Sequence, residues 1–163
     1  IGMAKSLAGG FPMGSVWIQE NHAGVLGPGT HGSTFGGTPL ACAVALSVLE
    51  VIDGENLAAN ARSMGEFLNE ELIKLAAKYP TAIREIRGLG LMVGIDMAED
   101  LPAFQGQEKP DSILWVSALH EAGLLTIPAG RSVVRLLPPL NLTREEAQTG
   151  LELFEKTIRN VIA

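Results

Sequence analysis

The chain has 163 residues, of which 47% are apolar and 18% charged, enough apolar surface to bury a core and too little charge for a disordered chain. Its formal net charge of −6 excludes the broad basic surface that a phosphate backbone requires, so no nucleic-acid partner is expected. The longest apolar run, "TPLACAVALSVLEVI" at 38–52, is too short to cross a membrane and is broken by Glu50.

Residues 1–37 read as glycine-rich loop; "GVLGPGTHGSTFGG" carries glycines at 24, 27, 29, 32, 36 and 37, a run that turns tightly or lets backbone approach a ligand. A helix is predicted from Thr38, with Pro39 in its first turn, to the "DG" at 53–54. Its apolar residues lie nearly all round, the pattern of a buried helix. A second helix is predicted over 55–78, where Leu57, Ala61, Met64, Leu68, Leu72 and Leu75 form a stripe and Pro80 ends it. Strands at 82–87 and 91–97 flank "GLG" as in a hairpin, and 99–110 reads as a surface loop. Residues 111–122 read as helix closed by Gly123. "LLTIP" and "VVRLL" read as short strands around "AGRS". A last helix over 143–162 starts with Thr143 and Glu146, the spacing of a capping box, and buries Leu151, Phe154, Ile158 and Val161. The second half is therefore an α+β or α/β layer.

Near the start, "MAKSLAGGFPMG" at 3–14 sets Lys5 among small and apolar residues with no carboxylate in the stretch. A lysine attacks a carbonyl only as the free amine, a form that apolar surroundings or a nearby cation favour. Adjacent glycines would let the backbone pass close to a flat ring. The competing reading is a lysine that reaches into solvent from the edge of an element. The glycine run lacks the pattern of a nucleotide P-loop, and no hydrolase elbow is present. His22, His31 and Cys42 do not have metal-ligand spacing, so no metal is expected. His31 reads as a loop hydrogen-bonding or packing residue, His120 as a helix-terminal residue, and Cys42 as a small buried apolar residue.

"MAKSLAGGFPMGS" followed by "GPGTHGSTFGGTPLACAVA" resembles the class III pyridoxal-phosphate aminotransferases, and the likeness continues through "RGLGLMVGIDM" and "GLLTIPAGRSVVRLLPPLNLT". It implies an α/β chain of fold type I, with 1–53 the end of the cofactor-binding large domain and 55–163 the C-terminal small domain. Within the family the last stretch most resembles the branch acting on acetylornithine in arginine biosynthesis, with the ornithine and succinylornithine branches as rivals. The resemblance implies an amino group moved from an ω-amino donor to 2-oxoglutarate through pyridoxal 5'-phosphate.

By the same resemblance, Lys5 is the lysine that bonds the cofactor's aldehyde and then moves the substrate's proton. Thr34 binds the phosphate, reaching the cofactor of the other subunit in a homodimer with a shared site. Ser33 contacts the amino substrate. Arg135 grips a substrate carboxylate, for which a guanidinium fork is suited. Read without the resemblance, Ser33 and Thr34 shape a turn. Arg135 would then be a strand-edge arginine in a surface ion pair, although its apolar neighbours still call for some carboxylate.

Arg131 stands where the family pattern has a small polar residue such as asparagine. The family's ring-nitrogen aspartate, its ring-stacking aromatic and a further carboxylate-binding arginine are not among these residues. With the abrupt start at Ile1, this makes the chain an expected fragment that binds cofactor weakly or not at all alone. The start has no secretory pattern, and the single cysteine suits a reducing, cytoplasmic setting. Two other readings remain: a binding module that keeps the fold without catalysis, and an aldolase-like enzyme that uses a lysine without pyridoxal. Lys5 argues against the first, and the threonine-glycine motif against the second.

Overall fold

A computed structural model describes all 163 residues, Ile1–Ala163, as two compact units, Ile1–Leu57 and Ala58–Ala163. In the first unit, two-residue strands β1 (Gly2–Met3) and β2 (Ser15–Val16) pair antiparallel, Gly2 opposite Val16. Between them Lys5–Ala8 form a 3-10 turn, and after β2 Glu20–Val25 form another. These short pieces occupy the stretch read as loop, where glycine and proline prevent longer elements.

Helix α1 spans Pro39–Gly54, opened by Pro39 as its sequence predicts. The expectation that it is a buried helix is not met within this chain. Only Ala41 and Ala45 are buried on it, while Leu40, Leu46, Leu49 and Val51 remain exposed. The physical reason is the size of the unit: its only buried apolar residues are Ala8, Ala41 and Ala45, so no second layer covers the larger side chains.

Helix α2 spans Leu57–Lys78, β3 Ile83–Leu89, β4 Met92–Met97, α3 Asp111–Glu121, β5 Ile127–Ala129, β6 Val133–Leu136 and α4 Arg144–Ile162. The strands form one antiparallel sheet in the order β3-β4-β6-β5. Alternation along β4 buries Val93, Ile95 and Met97 on one face. That face meets Phe67, Leu68 and Leu72 of α2, Trp115 and Leu119 of α3, and Leu151, Phe154 and Ile158 of α4 in a single core. Trp115 stacks edge-on against Phe104 at 5.4 Å, which ties the 99–110 loop to the core.

Local chemistry sets the element ends. The Thr143 hydroxyl accepts from the Glu146 N–H, and the Glu146 carboxylate accepts from the Thr143 N–H at 2.8 Å, the expected capping box. The Glu146 carboxyl is held below its usual range by the Thr143 N–H and then by its hydroxyl. Gly65 lets α2 touch the β3–β4 turn: a Cβ there would lie 2.3 Å from the Gly90 carbonyl oxygen. His120 does more than end α3. Its Nε2 lies 2.9 Å from the Thr126 carbonyl oxygen and 3.1 Å from the Thr126 N–H, closing the link to β5.

Candidate active site

Lys5 opens the 3-10 turn after the extended residue Ala4, and its own backbone is left-handed, φ +59°. A non-glycine residue there carries strain on the order of 1–3 kcal/mol, and such outliers gather at functional sites. The side chain is exposed and makes neither an ion pair nor a side-chain hydrogen bond. Composition foretold a lysine without an acid beside it; it gave no hint of the backbone sign.

Ser33 and Thr34 are exposed on the approach to α1. The Ser33 carbonyl accepts from the Gly36 N–H at 3.2 Å, closing a turn, and Gly37 follows at φ +70°, a conformation glycine adopts at little cost. Helix α1 then begins without a side-chain cap from Thr38 and with no acidic residue in its first turn. The positive end of a 16-residue helix is thus left for an outside acceptor. Ser33, His31, Phe35, Gly36 and Gly37 line an open cleft together with Pro12, Met13 and Gly14; Lys5 and Thr34 are not in its lining. His31 shares a 3.3 Å hydrogen bond with the Thr30 hydroxyl, in keeping with a loop role. Cys42 is free and half-buried, and no cluster of side chains suited to a metal ion is present.

Arg135 belongs to the second unit. It lies on β6, which runs between β4 and β5, so the strand-edge reading is corrected: this is an interior strand. Its Nε is buried with no hydrogen-bond partner, and no carboxylate of the chain pairs with it. Two acids of the same unit, Asp96 and Glu99, are bonded to other groups. Arg84 bonds both Asp96 and Glu99 at 2.9 Å, and the Ser132 hydroxyl donates to Asp96 at 2.7 Å. Burial pushes the Asp96 carboxyl up, but the bonds from Ser132 and Arg84 outweigh it and hold that carboxyl below its usual range. Arg131 is 88% exposed, with its Nε 3.8 Å from Glu99. Ser112 anchors its turn, donating from its hydroxyl to the Gly130 carbonyl and from its N–H to the Arg131 carbonyl, each at 2.8 Å.

In the first unit a lysine with left-handed backbone and an uncapped helix start behind a hydroxyl-bearing glycine turn are groups suited to an aldehyde and to an anion; in the second, Arg135 lacks an acid. The model of the aminotransferase class-III family matches residues 1–158, and the chain belongs to that family, whose members depend on pyridoxal phosphate. Over 160 residues the chain is 42% identical to an acetylornithine aminotransferase of Nostoc, covering 98% of itself and 36% of that protein. It is 43% identical over 161 residues to acetylornithine aminotransferase 1 of Bordetella bronchiseptica, covering 99% of itself and 38% of that protein. The crystal structure of acetylornithine aminotransferase from Elizabethkingia anophelis superimposes with a TM-score of 0.84 at 37% identity, over 98% of this chain and 40% of that one. Ornithine aminotransferase from Toxoplasma gondii, with partial occupancy of pyridoxal phosphate at its active site, gives 0.84 at 38% identity, over 98% of this chain and 36% of that one. The chain therefore spans little more than a third of the length of these relatives. No helix is long and apolar enough to cross a membrane.

Proposed function

We propose that the whole protein is a pyridoxal-phosphate-dependent aminotransferase that moves the terminal amino group of N2-acetylornithine to 2-oxoglutarate, in arginine biosynthesis. The observation that carries this reading is the ordered pair of motifs around Lys5 and Thr34, within a family match that runs over residues 1–158. The acetylornithine aminotransferases among the relatives support the donor. Likeness to the Toxoplasma gondii ornithine aminotransferase, equal in TM-score, favours ornithine as the second reading.

The residues present fit the cofactor. An amine free of acids suits an aldehyde, and an uncapped helix start behind Thr34 suits a phosphate. When bound, pyridoxal phosphate supplies an electron sink for the carbon that carries the amino group. The Lys5 Nζ would hold the cofactor's aldehyde carbon and, as a free amine, would be the base that takes up and returns the substrate's proton. The Thr34 hydroxyl and the open N–H groups of α1 would hold the phosphate, in a homodimer whose site is shared. The Ser33 hydroxyl contacts the amino donor. The Arg135 guanidinium binds a substrate carboxylate, which would supply the acid this chain withholds from it. We place the reaction in the cytoplasm, where the unpaired Cys42 would stay reduced.

The test is made on the full-length enzyme. Lys5→Ala is expected to remove the visible absorbance of bound cofactor and to lower transamination by roughly 10²–10⁴-fold or more. Turnover at the wild-type rate would overturn the reading.

A further inference from the structure

The sheet of the second unit has one face turned away from the core, and Arg135 shares it with an acid of the neighbouring strand. Val93, Ile95 and Met97 of β4 are buried on the core face, so Gly94 and Asp96 stand on the other. Gly94 lies opposite Arg135 of β6, and Asp96 lies opposite Val133. Asp96 and Arg135 are therefore diagonal neighbours on one face, roughly 7–8 Å apart, a separation that an arginine side chain spans. Such a pair is placed to close an ion bridge. It does not close: no carboxylate of the chain pairs with Arg135, and its Nε is buried without a hydrogen bond.

Asp96 is clasped from two other directions. Its Oδ1 accepts from the Ser132 hydroxyl at 2.7 Å and from Arg84 Nη2 at 2.9 Å. Ser132 is itself buried and fixed, since its carbonyl accepts from the Met97 N–H at 3.0 Å. Arg84 sits at an irregularity in the β3–β4 ladder: Ile83 lies opposite Met97 and Glu85 opposite Asp96, with Arg84 between them. An extra residue of this kind re-aims a side chain, and here the Arg84 guanidinium reaches Asp96 and also Glu99, at 2.9 Å. The other acid on this face of the strands, Glu85, is bonded to Arg87 at 2.8 Å. Each acid of the face thus has a partner, and none of those partners is Arg135.

We infer that Ser132 and Arg84 are positioning residues that hold the Asp96 carboxylate away from Arg135 and so keep that guanidinium free for an incoming carboxylate. The inference deepens the proposed function and rests on the role it gives Arg135. Neither Ser132 nor Arg84 touches the substrate; both act through Asp96. A guanidinium without an internal acid binds an anion directly. One bridged to Asp96 must first give up that partner, and its apparent affinity falls by the fraction of time the bridge is closed. The clasp has two bonds, so the loss of either weakens it and the loss of both opens it.

The experiment uses the full-length enzyme carrying Arg84→Gln and Ser132→Ala together, read by crystallography and by steady-state kinetics. The variant's structure is expected to show an Asp96 carboxylate oxygen within about 4 Å of an Arg135 guanidinium nitrogen. KM for 2-oxoglutarate is expected to rise about fivefold, the factor of one ion pair, with kcat held within about twofold. Adding Asp96→Asn, which removes the competing charge, is expected to bring KM back to near its wild-type value; damage that was merely structural would not be repaired by a third substitution. Should the double variant melt early, Ser132→Ala alone is expected to raise KM about twofold, with Asp96→Asn again reversing it. An Asp96 that stays away from Arg135 in the variant structure, or a raised KM that Asp96→Asn does not restore, would overturn the inference. A bridge that forms while KM stays put would instead sink the carboxylate role of Arg135 and leave the clasp standing.

Discussion

The two units solve different problems. Ile1–Leu57 buries three alanines and nothing larger, while it carries the strained Lys5 and the glycine turns around Ser33 and Thr34. Ala58–Ala163 buries Trp115, Phe154, Leu72 and Ile95 completely or nearly so, and sets its arginines on the rungs of a paired sheet. Among these residues the first unit holds little core and several left-handed backbones, at glycines and at Lys5. The second has the core that makes such precision possible, as a sheet fixes side-chain spacing through register. In the proposed function, the bond-moving residue Lys5 belongs to the poorly packed unit and the carboxylate-binding residue Arg135 to the well-packed one.

That contrast can be broken most sharply in the core. Phe154→Ala is expected to cost the second unit about 3–5 kcal/mol, read from denaturant unfolding, because a fully buried ring leaves a cavity among α2, α3 and the sheet. A loss below 1 kcal/mol would mean that this core is not what holds the unit. Gly65→Ala is smaller in atoms yet strikes backbone 2.3 Å away, so α2 and the β3–β4 turn must part; roughly 1–3 kcal/mol is expected in the same assay. Thr143→Ala removes one cap of α4 and is expected to cost about 1 kcal/mol.

The smallest effect is that of acid. Asp96, Glu146 and Glu155 are held below their ordinary values of 3.8, 4.5 and 4.5, the last chiefly by Lys78 and then by Tyr79. Each contributes stability that is fully present above its unfolded value and is lost as pH falls through its lower folded one. Melting temperature is therefore expected to hold from neutral pH down to about 5 and to fall below about 4.5, as the unfolded chain takes up protons first. A melting temperature that rises on acidification would contradict these assignments.

Much of this was legible in the residues. Periodicity marked α2, α3 and α4, the hairpin around "GLG" and the Thr143 cap, because each depends on neighbours a few positions apart. The motifs marked Lys5, Ser33, Thr34 and Arg135 through resemblance. What was not legible depends on distant partners. The exposed face of α1 could not be foreseen from an apolar pattern that says only that a helix seeks cover. Nor could the position of β6 inside the sheet, which changes Arg135 from an edge residue to a rung mate of Gly94 and Arg87. The left-handed backbone at Lys5 was hidden because lysine, unlike glycine, does not advertise it.

The central claim concerns one amine, and chemical trapping tests it most directly. The full-length protein is loaded with pyridoxal phosphate, reduced with borohydride, digested and mapped by mass spectrometry. The cofactor's mass is expected on the peptide containing Lys5 and to be absent from that peptide in the unreduced control. Labelling confined to other lysines, or none at all in protein that transaminates, would contradict the account.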